Sequence, residues 1–220
     1  MNINKKYDGM ITKEIHLNYR LHLPNDYDEA SAQGYPMILF LHGSGERGND
    51  INALTRTGLT KYIETHDDFP FIVISPQCNE KTWWTRELDS LYALVKHVMN
   101  ELNVNEKRMY LTGLSMGGFG CWHFAERYPE LFAAMIPIAS GTEEHIGFPE
   151  RVAVLKDMPI WAFHGEKDPI IPIEEIKKLI PYLGNRFKLT EYPEGGHDVW
   201  TQTYENKEIY AWLLNQSKPN

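Results

Sequence analysis

The stretch RMYLTGLSMGGFGCWHFAERY, residues 108–128, decides the fold predicted for this chain. It opens with a short apolar run, turns at Gly113-Leu114-Ser115-Met116-Gly117, and continues with the apolar pattern of a buried helix. A G-x-S-x-G turn between a strand and a helix is typical of a nucleophile elbow, which carries its serine on a sharp turn. The flanking glycines allow the close backbone approach that such a turn needs. We therefore expect a strand, a tight turn with Ser115 at its tip, and a helix.

Further apolar runs alternate with helical patterns on both sides of this segment. The runs are rich in β-branched residues and nearly continuous in hydrophobicity, which suits strands covered on both faces; they are 37–43, 71–76, 108–113, 133–140, 158–165 and 186–193. Helices are predicted at 89–102, 115–128, 174–180 and 205–215. Residues 10–23 are expected to add one or two antiparallel edge strands. The alternation predicts an α/β fold with a mostly parallel sheet, helices on both faces, and a site at the carboxyl ends of the strands.

Length and composition limit the class of protein. The 220 residues fit one large domain, and neither a repeat nor a linker divides them, so 1–220 is interpreted as a single domain. A net charge of −8 has the wrong sign for a nucleic-acid binder. The longest apolar run is far shorter than the roughly 18 residues of a membrane span. The N-terminus has no secretory leader pattern, so we expect a cytoplasmic protein, or a secreted one if a leader has been removed.

A serine hydroxyl is a weak nucleophile and needs a base held by an acid. Nine histidines compete for the role of base. His197 is predicted to fill it, because it lies in a glycine-rich loop (Glu194-Gly195-Gly196-His197-Asp198) just after the last run. His164 is interpreted as structural, His123 lies on the elbow helix pointing away from the turn, and His145 is a weaker rival.

Asp168 is the predicted acid. It follows the run 158–165 directly, and Pro169 fixes the turn at that strand end. Glu166 is an alternative two residues earlier, whereas Asp198 is too close to His197 in sequence to orient it easily. The resulting order of serine, aspartate and histidine is the order expected on an α/β-hydrolase sheet.

The run 37–43 leads into His42-Gly43-Ser44-Gly45, where a second feature of such sites is expected. The backbone N–H of Ser44 is predicted to form an oxyanion hole with that of Met116. Glu46 and Arg47 are interpreted as an ion pair that braces this loop, with direct recognition of a charged substrate as the alternative. Residues 141–157 are too few for a cap domain, so an open cleft is expected.

Aromatic residues near these loops are candidates for binding substrate. Trp83 and Trp84 lie in a polar loop, NEKTWWTREL, so at least one of them is expected to line the site; the alternative is a packing anchor. Gln77, at the start of this loop, and Trp200, just after the base, complete the predicted substrate residues. Aromatic faces suit a sugar ring, a feruloyl-type ring or an alkyl chain. The sequence has no metal-ligand spacing.

From about Tyr35 to its end, the chain resembles the α/β-hydrolase superfamily. More narrowly, the chain resembles a group of small esterases that are described as predicted peptidases or as phospholipase/carboxylesterase-like, and that are related to polyhydroxybutyrate depolymerases and feruloyl esterases. The motifs that carry this resemblance are LHGSGERG (41–48), Pro76-Gln77, Trp83-Trp84, the GLSMGG elbow and GHDVW (196–200). The resemblance implies hydrolysis of carboxylic esters through an acyl-enzyme and without a cofactor, but it does not define the substrate. Our own expectation is a small-molecule ester whose acyl group is short-chain or aromatic, and sugar-linked in some cases. Because the superfamily covers many chemistries, a peptidase and a catalytically retired binding module stay open as alternatives. A homodimer is a further open possibility.

Overall fold

In the computed structural model, residues 3–10, 12–141 and 148–219 are described. Seven strands of these residues form one sheet; they are β1 (Tyr19–His22), β2 (Tyr35–Leu41), β3 (Ile72–Pro76), β4 (Val104–Leu114), β5 (Ala134–Ile138), β6 (Ile160–Gly165) and β7 (Phe187–Tyr192). Their order across the sheet is β1-β3-β2-β4-β5-β6-β7. β1 pairs antiparallel with β3, and the other neighbouring pairs are parallel. The predicted mostly parallel sheet is confirmed, and the segment 10–23 supplies one antiparallel edge strand.

Helices connect these strands; they are α1 (Gly58–Ile63), α2 (Leu88–Glu101), α3 (Met116–Arg127), α4 (Glu174–Lys177), α5 (Trp200–Glu205) and α6 (Glu208–Leu214). Short 3₁₀ turns lie at Ser44–Glu46, Ile51–Arg56, Trp84–Arg86, Glu150–Leu155 and Ile180–Tyr182. The helix predicted at 205–215 begins later, because the Asn206 side chain accepts the Glu208 N–H at 3.0 Å and starts a new helix there. The helix predicted at 174–180 ends at Lys177 and gives way to a 3₁₀ turn that contains Pro181.

Alternating residues of the central strands pack into two apolar layers. Leu39 and Leu41 of β2 belong to the layer that α2 and α3 cover, with Val95 and Trp122 as examples. Ile38 and Phe40 of β2 belong to the opposite layer, against α1, α5 and α6; it includes Leu59, Tyr204 and Ile209. Burial on both faces explains why the strand sequences are apolar at nearly every position.

The connection from β5 to β6 contains the residues predicted to be too few for a cap domain. Its described residues contain one short 3₁₀ helix, Glu150–Leu155. Residues 142–147, which include the candidate His145, lie outside the described part of the chain. Over the ranges described, no helix combines the length and the apolar character that crossing a bilayer requires.

Candidate active site

Ser115 lies at the tip of the predicted elbow, between the end of β4 and the start of α3. Its backbone has φ 50° and ψ −118°, a conformation that costs a non-glycine residue free energy. A Cβ at Gly113 would lie 2.5 Å from the carbonyl oxygen of Gly117. A Cβ at Gly117 would lie 1.9 Å from the carbonyl oxygen of Leu41. The steric need for both glycines, inferred from the sequence, is therefore confirmed.

The structure brings Ser115, His197 and Asp168 together in one hydrogen-bonded series. His197 Nε2 lies 2.9 Å from Ser115 Oγ, and His197 Nδ1 lies 2.7 Å from Asp168 Oδ2. The second oxygen, Asp168 Oδ1, accepts the backbone N–H groups of Ile170 and Ile171 at 2.8 and 2.9 Å. A carboxylate facing Nδ1 keeps the imidazole proton on that nitrogen, which leaves Nε2 as the acceptor facing the serine hydroxyl.

The loops that carry the acid and the base contact each other directly. A Cβ at Gly165, the last residue of β6, would lie 2.2 Å from the carbonyl oxygen of Gly196. The Lys167 N–H donates to the Gly195 carbonyl at 2.9 Å. Glycines on both sides of this contact allow the loop after β7 to lie over the end of β6, which places His197 beside Asp168.

Two other histidines considered for the base are buried, and one of them also contacts the acid, because His164 Nε2 lies 3.5 Å from Asp168 Oδ2. His164 is fully buried, and its Nε2 contacts the Ile171 carbonyl oxygen at 2.9 Å. Burial lowers the pKa of His164, so its neutral form is favoured. His123 stacks on Phe148 with ring centroids 4.5 Å apart. The structural role predicted for His164 agrees with this burial.

The segment predicted to supply the second oxyanion donor follows β2. Leu41 pairs with Gly113 in the register of β2 and β4, so Ser44 and Met116 each lie just beyond neighbouring strand ends. Met116 is the first residue of α3, a position whose N–H has no partner within the helix. Ser44 opens the 3₁₀ turn Ser44–Glu46 and is exposed.

His42 fixes the peptide that contains the Ser44 N–H. Its Nδ1 lies 2.5 Å from the Gly43 carbonyl oxygen, and its Nε2 accepts the Cys78 N–H at 2.9 Å. Burial lowers the pKa of His42 to about 4, so the ring is neutral near pH 7. A neutral ring that accepts at Nε2 carries its proton on Nδ1, and it therefore donates to the Gly43 carbonyl.

The predicted ion pair between Glu46 and Arg47 is wrong. Glu46 is buried, where one carboxylate oxygen accepts the Thr57 hydroxyl at 3.3 Å and the other lies 3.9 Å from His42 Nδ1. Burial raises the pKa of the Glu46 carboxyl. The Arg47 guanidinium instead lies over the Trp83 ring, 4.6 Å from its centroid. The two side chains therefore have separate partners, because one is taken into the protein interior and the other lies on the loop surface.

Two of the four predicted substrate residues need correction. Trp84 is fully buried, and its indole N–H donates to the His42 carbonyl at 3.0 Å, so it anchors the loop instead of facing a substrate. Gln77 is also buried, and its amide donates to the carbonyl oxygens of Glu46 and Asp50 at 2.9 and 2.8 Å. Both side chains hold the segment that carries Ser44.

Trp83 and Trp200 remain predictions for the substrate site. The Trp83 side chain is 43% exposed. The Trp200 ring meets the His197 ring edge-on, with centroids 5.2 Å apart. Both are aromatic surfaces beside the loops of the site. In the described ranges, the structure contains no cluster of three or more side chains suited to hold a metal ion.

The architecture is the α/β-hydrolase fold. Its sheet is mostly parallel, the serine elbow follows β4, the acid follows β6 and the histidine follows β7. The protein family described as "Putative esterase" matches residues 12–212. The chain therefore belongs to this esterase family within the α/β-hydrolase superfamily.

Several known proteins similar to this chain have names that include an esterase activity. The bifunctional acetylxylan esterase/xylanase XynS20E of Neocallimastix patriciarum is 22% identical over 82% of this chain, which spans only 26% of that protein. The probable feruloyl esterase C of Aspergillus niger is 24% identical over 84% of this chain and 68% of its own length. A thermostable esterase of known crystal structure is 34% identical in sequence to this chain. The two structures align with a TM-score of 0.76 over 92% of this chain and 60% of the esterase chain. The chain thus spans about a quarter of the first of these proteins and three fifths of the crystallised esterase.

Proposed function

We propose that this chain hydrolyses carboxylic esters through an acyl-enzyme formed on Ser115. The observation that carries the proposal is the hydrogen-bonded series from Asp168 through His197 to the Ser115 hydroxyl, with distances of 2.7 and 2.9 Å. Membership of an esterase family supports the same class of reaction. An activated serine at the tip of an elbow is suited to attack a carbonyl carbon.

In the first half of the reaction, Ser115 Oγ attacks the ester carbonyl while His197 Nε2 takes the hydroxyl proton. The carbonyl oxygen becomes an oxyanion, which the N–H groups of Ser44 and Met116 stabilise. Asp168 holds the imidazolium in place. Collapse of the tetrahedral intermediate breaks the bond to the alcohol oxygen, and His197 returns its proton to the leaving alcohol.

Water completes the cycle. His197 takes a proton from a water molecule, whose oxygen attacks the acyl carbon. This attack forms a second oxyanion, which the N–H groups of Ser44 and Met116 again stabilise. Its collapse releases the carboxylic acid, and the proton returns from His197 to Ser115 Oγ. Every proton is carried by a side chain of this site, so the cycle requires no cofactor.

For the substrate, we propose esters of short-chain or aromatic acids with small alcohols or sugars. Trp83 and Trp200 offer aromatic surfaces that suit rings and alkyl chains. The names of the similar proteins, which include an acetylxylan esterase and a feruloyl esterase, support acyl groups of this size.

The proposal is tested by assaying p-nitrophenyl acetate, butyrate and octanoate and methyl ferulate with wild type and Ser115→Ala. We expect hydrolysis that decreases with chain length and is lost in the variant, while circular dichroism shows the variant folded. Turnover that persists in Ser115→Ala would overturn the assignment. Cleavage of a peptide library without ester hydrolysis would favour a peptidase, and a folded protein inert to both would favour a binding module.

A further inference from the structure

Two loops meet beside the proposed oxyanion hole. We name residues 42–50 the oxyanion loop and residues 77–84 the tryptophan loop. Beneath the surface they are joined by hydrogen bonds, among them Cys78 N–H to His42 Nε2, Gly48 N–H to the Cys78 carbonyl, and the Trp84 indole N–H to the His42 carbonyl. The junction between the loops is therefore built from main-chain groups as well as buried side chains.

Arg47 joins the same two loops at their surface. Its Nε donates to the Ser44 carbonyl at 3.1 Å. Its Nη1 lies 3.3 Å from the Glu80 carbonyl oxygen and 3.4 Å from that of Thr82. The guanidinium carbon Cζ lies over Trp83, 4.6 Å from the ring centroid. One side chain thus contacts three carbonyl groups and the exposed aromatic ring.

These contacts determine the orientation of Ser44. The peptide that contains the Ser44 N–H is held on one side, because its carbonyl at Gly43 contacts His42 Nδ1 at 2.5 Å. The following peptide is held at its own carbonyl by Arg47. Since each peptide is planar, fixing both carbonyls restricts both backbone dihedrals of Ser44. The Ser44 N–H then keeps one direction without help from a substrate.

We propose that Arg47 is a positioning residue for the oxyanion hole, which holds the Ser44 peptide and couples it to the tryptophan loop. The inference rests on the role proposed for Ser44 in ester hydrolysis. Lysine cannot replace arginine here, because one ammonium group lacks the planar fork that reaches the Ser44 carbonyl and the Glu80 and Thr82 carbonyls together. A positive charge at position 47 is thus not sufficient to position the Ser44 peptide.

The test compares wild type, Arg47→Lys and Arg47→Gln by the rate at which an alkyl fluorophosphonate labels Ser115. Labelling displaces fluoride and develops negative charge on the phosphoryl oxygen, so it needs the oxyanion hole but no particular ester. Losing one oxyanion donor costs about 10²–10³ in rate, so a misdirected donor should cost about tenfold. We expect the labelling rate to fall about tenfold in both variants. The kcat on the best ester should fall by the same factor, and KM should change less than kcat, since Arg47 also contacts Trp83.

Arg86→Gln is the matched control. It removes an exposed positive charge from the 3₁₀ turn Trp84–Arg86, next to Trp83, and we expect the wild-type labelling rate. A melting temperature lowered in the Arg47 variants with labelling and kcat unchanged would overturn the proposal in favour of a purely structural role. A change confined to the KM of substrates that carry a carboxylate would overturn it in favour of anion recognition.

The same experiment separates this inference from the proposed function. If wild-type Ser115 is labelled but no ester is hydrolysed, ester hydrolysis fails, and the labelling rates of the Arg47 variants still decide the positioning role. If ester hydrolysis holds and the Arg47 variants react like wild type, only the positioning role fails. Wild-type protein that is folded but not labelled would overturn both.

Discussion

The α-carbon of Gly117 lies against the carbonyl oxygen of Leu41, at the point where α3 passes the end of β2. A Cβ at position 117 would lie 1.9 Å from that oxygen and 2.7 Å from the carbonyl oxygen of His42. Backbone atoms cannot move aside as the end of a flexible side chain can. The elbow helix and the oxyanion loop therefore approach each other this closely only because residue 117 is glycine.

Gly117→Ala should consequently destabilise the fold. We expect the free energy of unfolding to fall by at least about 3 kcal/mol, the upper range for overpacking a core, because the new methyl group meets main-chain atoms. Urea denaturation followed by tryptophan fluorescence measures the change. Gly45→Ala is the control, since a Cβ at Gly45 would have no neighbour within 4 Å, and it should change stability by less than about 0.5 kcal/mol. Equal stabilities of the two variants would contradict the packing of the elbow.

Ser115→Gly should be more stable than Ser115→Ala. Both variants lack the hydroxyl, but only glycine adopts φ 50° and ψ −118° without a steric cost. Strain of this kind costs about 1–3 kcal/mol, which the glycine variant avoids. The greater entropy of glycine in the unfolded chain offsets about 0.5–1 kcal/mol of that advantage. We expect a difference of about 1 kcal/mol by urea denaturation. A glycine variant that is the less stable of the two would indicate that Ser115 is not strained.

Asp168→Asn should inactivate the protein while leaving it folded. The N–H groups of Ile170 and Ile171, which donate to Oδ1, would hold the amide oxygen of the asparagine there. Its NH₂ group would then face His197 Nδ1 and place the imidazole proton on Nε2, toward Ser115. This is the wrong tautomer for a base, so kcat should fall by about 10⁴. Ester assays with wild type and variant measure it, and a fall of less than tenfold would contradict the role of Asp168.

The stability of the fold should decrease between pH 6.5 and pH 4 because of His42. Burial lowers its pKa from 6.5 to about 4, so over this range the unfolded chain binds a proton that the folded protein does not. The contribution of the neutral His42 ring to the free energy of unfolding is complete above pH 6.5. Lowering the pH to 4 removes about 3 kcal/mol of this contribution. His164, whose pKa burial also lowers, acts in the same direction, whereas the raised pKa of Glu46 opposes both.

His42→Gln isolates the contribution of His42, because glutamine has no proton to gain over this range. The free energy of unfolding, measured by urea denaturation at several pH values, should depend less steeply on pH in the variant than in wild type. The comparison uses the slope, so a uniform loss of stability in the variant does not affect it. Parallel curves would contradict the neutral, buried state of His42.

The elbow and the hydrogen-bonded residues could be predicted because their determinants are local. Gly113, Ser115 and Gly117 lie within five residues of chain, and the tight turn there requires glycine on either side of the serine because a Cβ would clash. Asp168 and His197 each follow an apolar run, and parallel strands bring their carboxyl ends to one edge of the sheet. The order of the runs along the chain was therefore enough to bring these side chains together.

Side-chain directions in the irregular loops could not be predicted in the same way. Trp83 has extended backbone, with φ −136° and ψ 153°, so adjacent side chains point to opposite sides; Trp84 is consequently buried while Trp83 is exposed. The sequence does not specify which of the two faces inward. The partners of Arg47 could not be predicted because they are carbonyl groups, which leave no pattern in the sequence, and two of them, Glu80 and Thr82, lie more than thirty residues away.

An acyl group on Ser115 would be the most direct evidence for the proposed reaction. The measurement is the intact mass of the protein, quenched in acid during the first turnover of p-nitrophenyl acetate, followed by mapping of the modified peptide. We predict that wild type gains the mass of one acetyl group on the peptide that contains Ser115, and that Ser115→Ala gains none and releases nitrophenol no faster than buffer. Acetylation of a different residue, or undiminished turnover by Ser115→Ala, would contradict the assignment of Ser115 as the nucleophile.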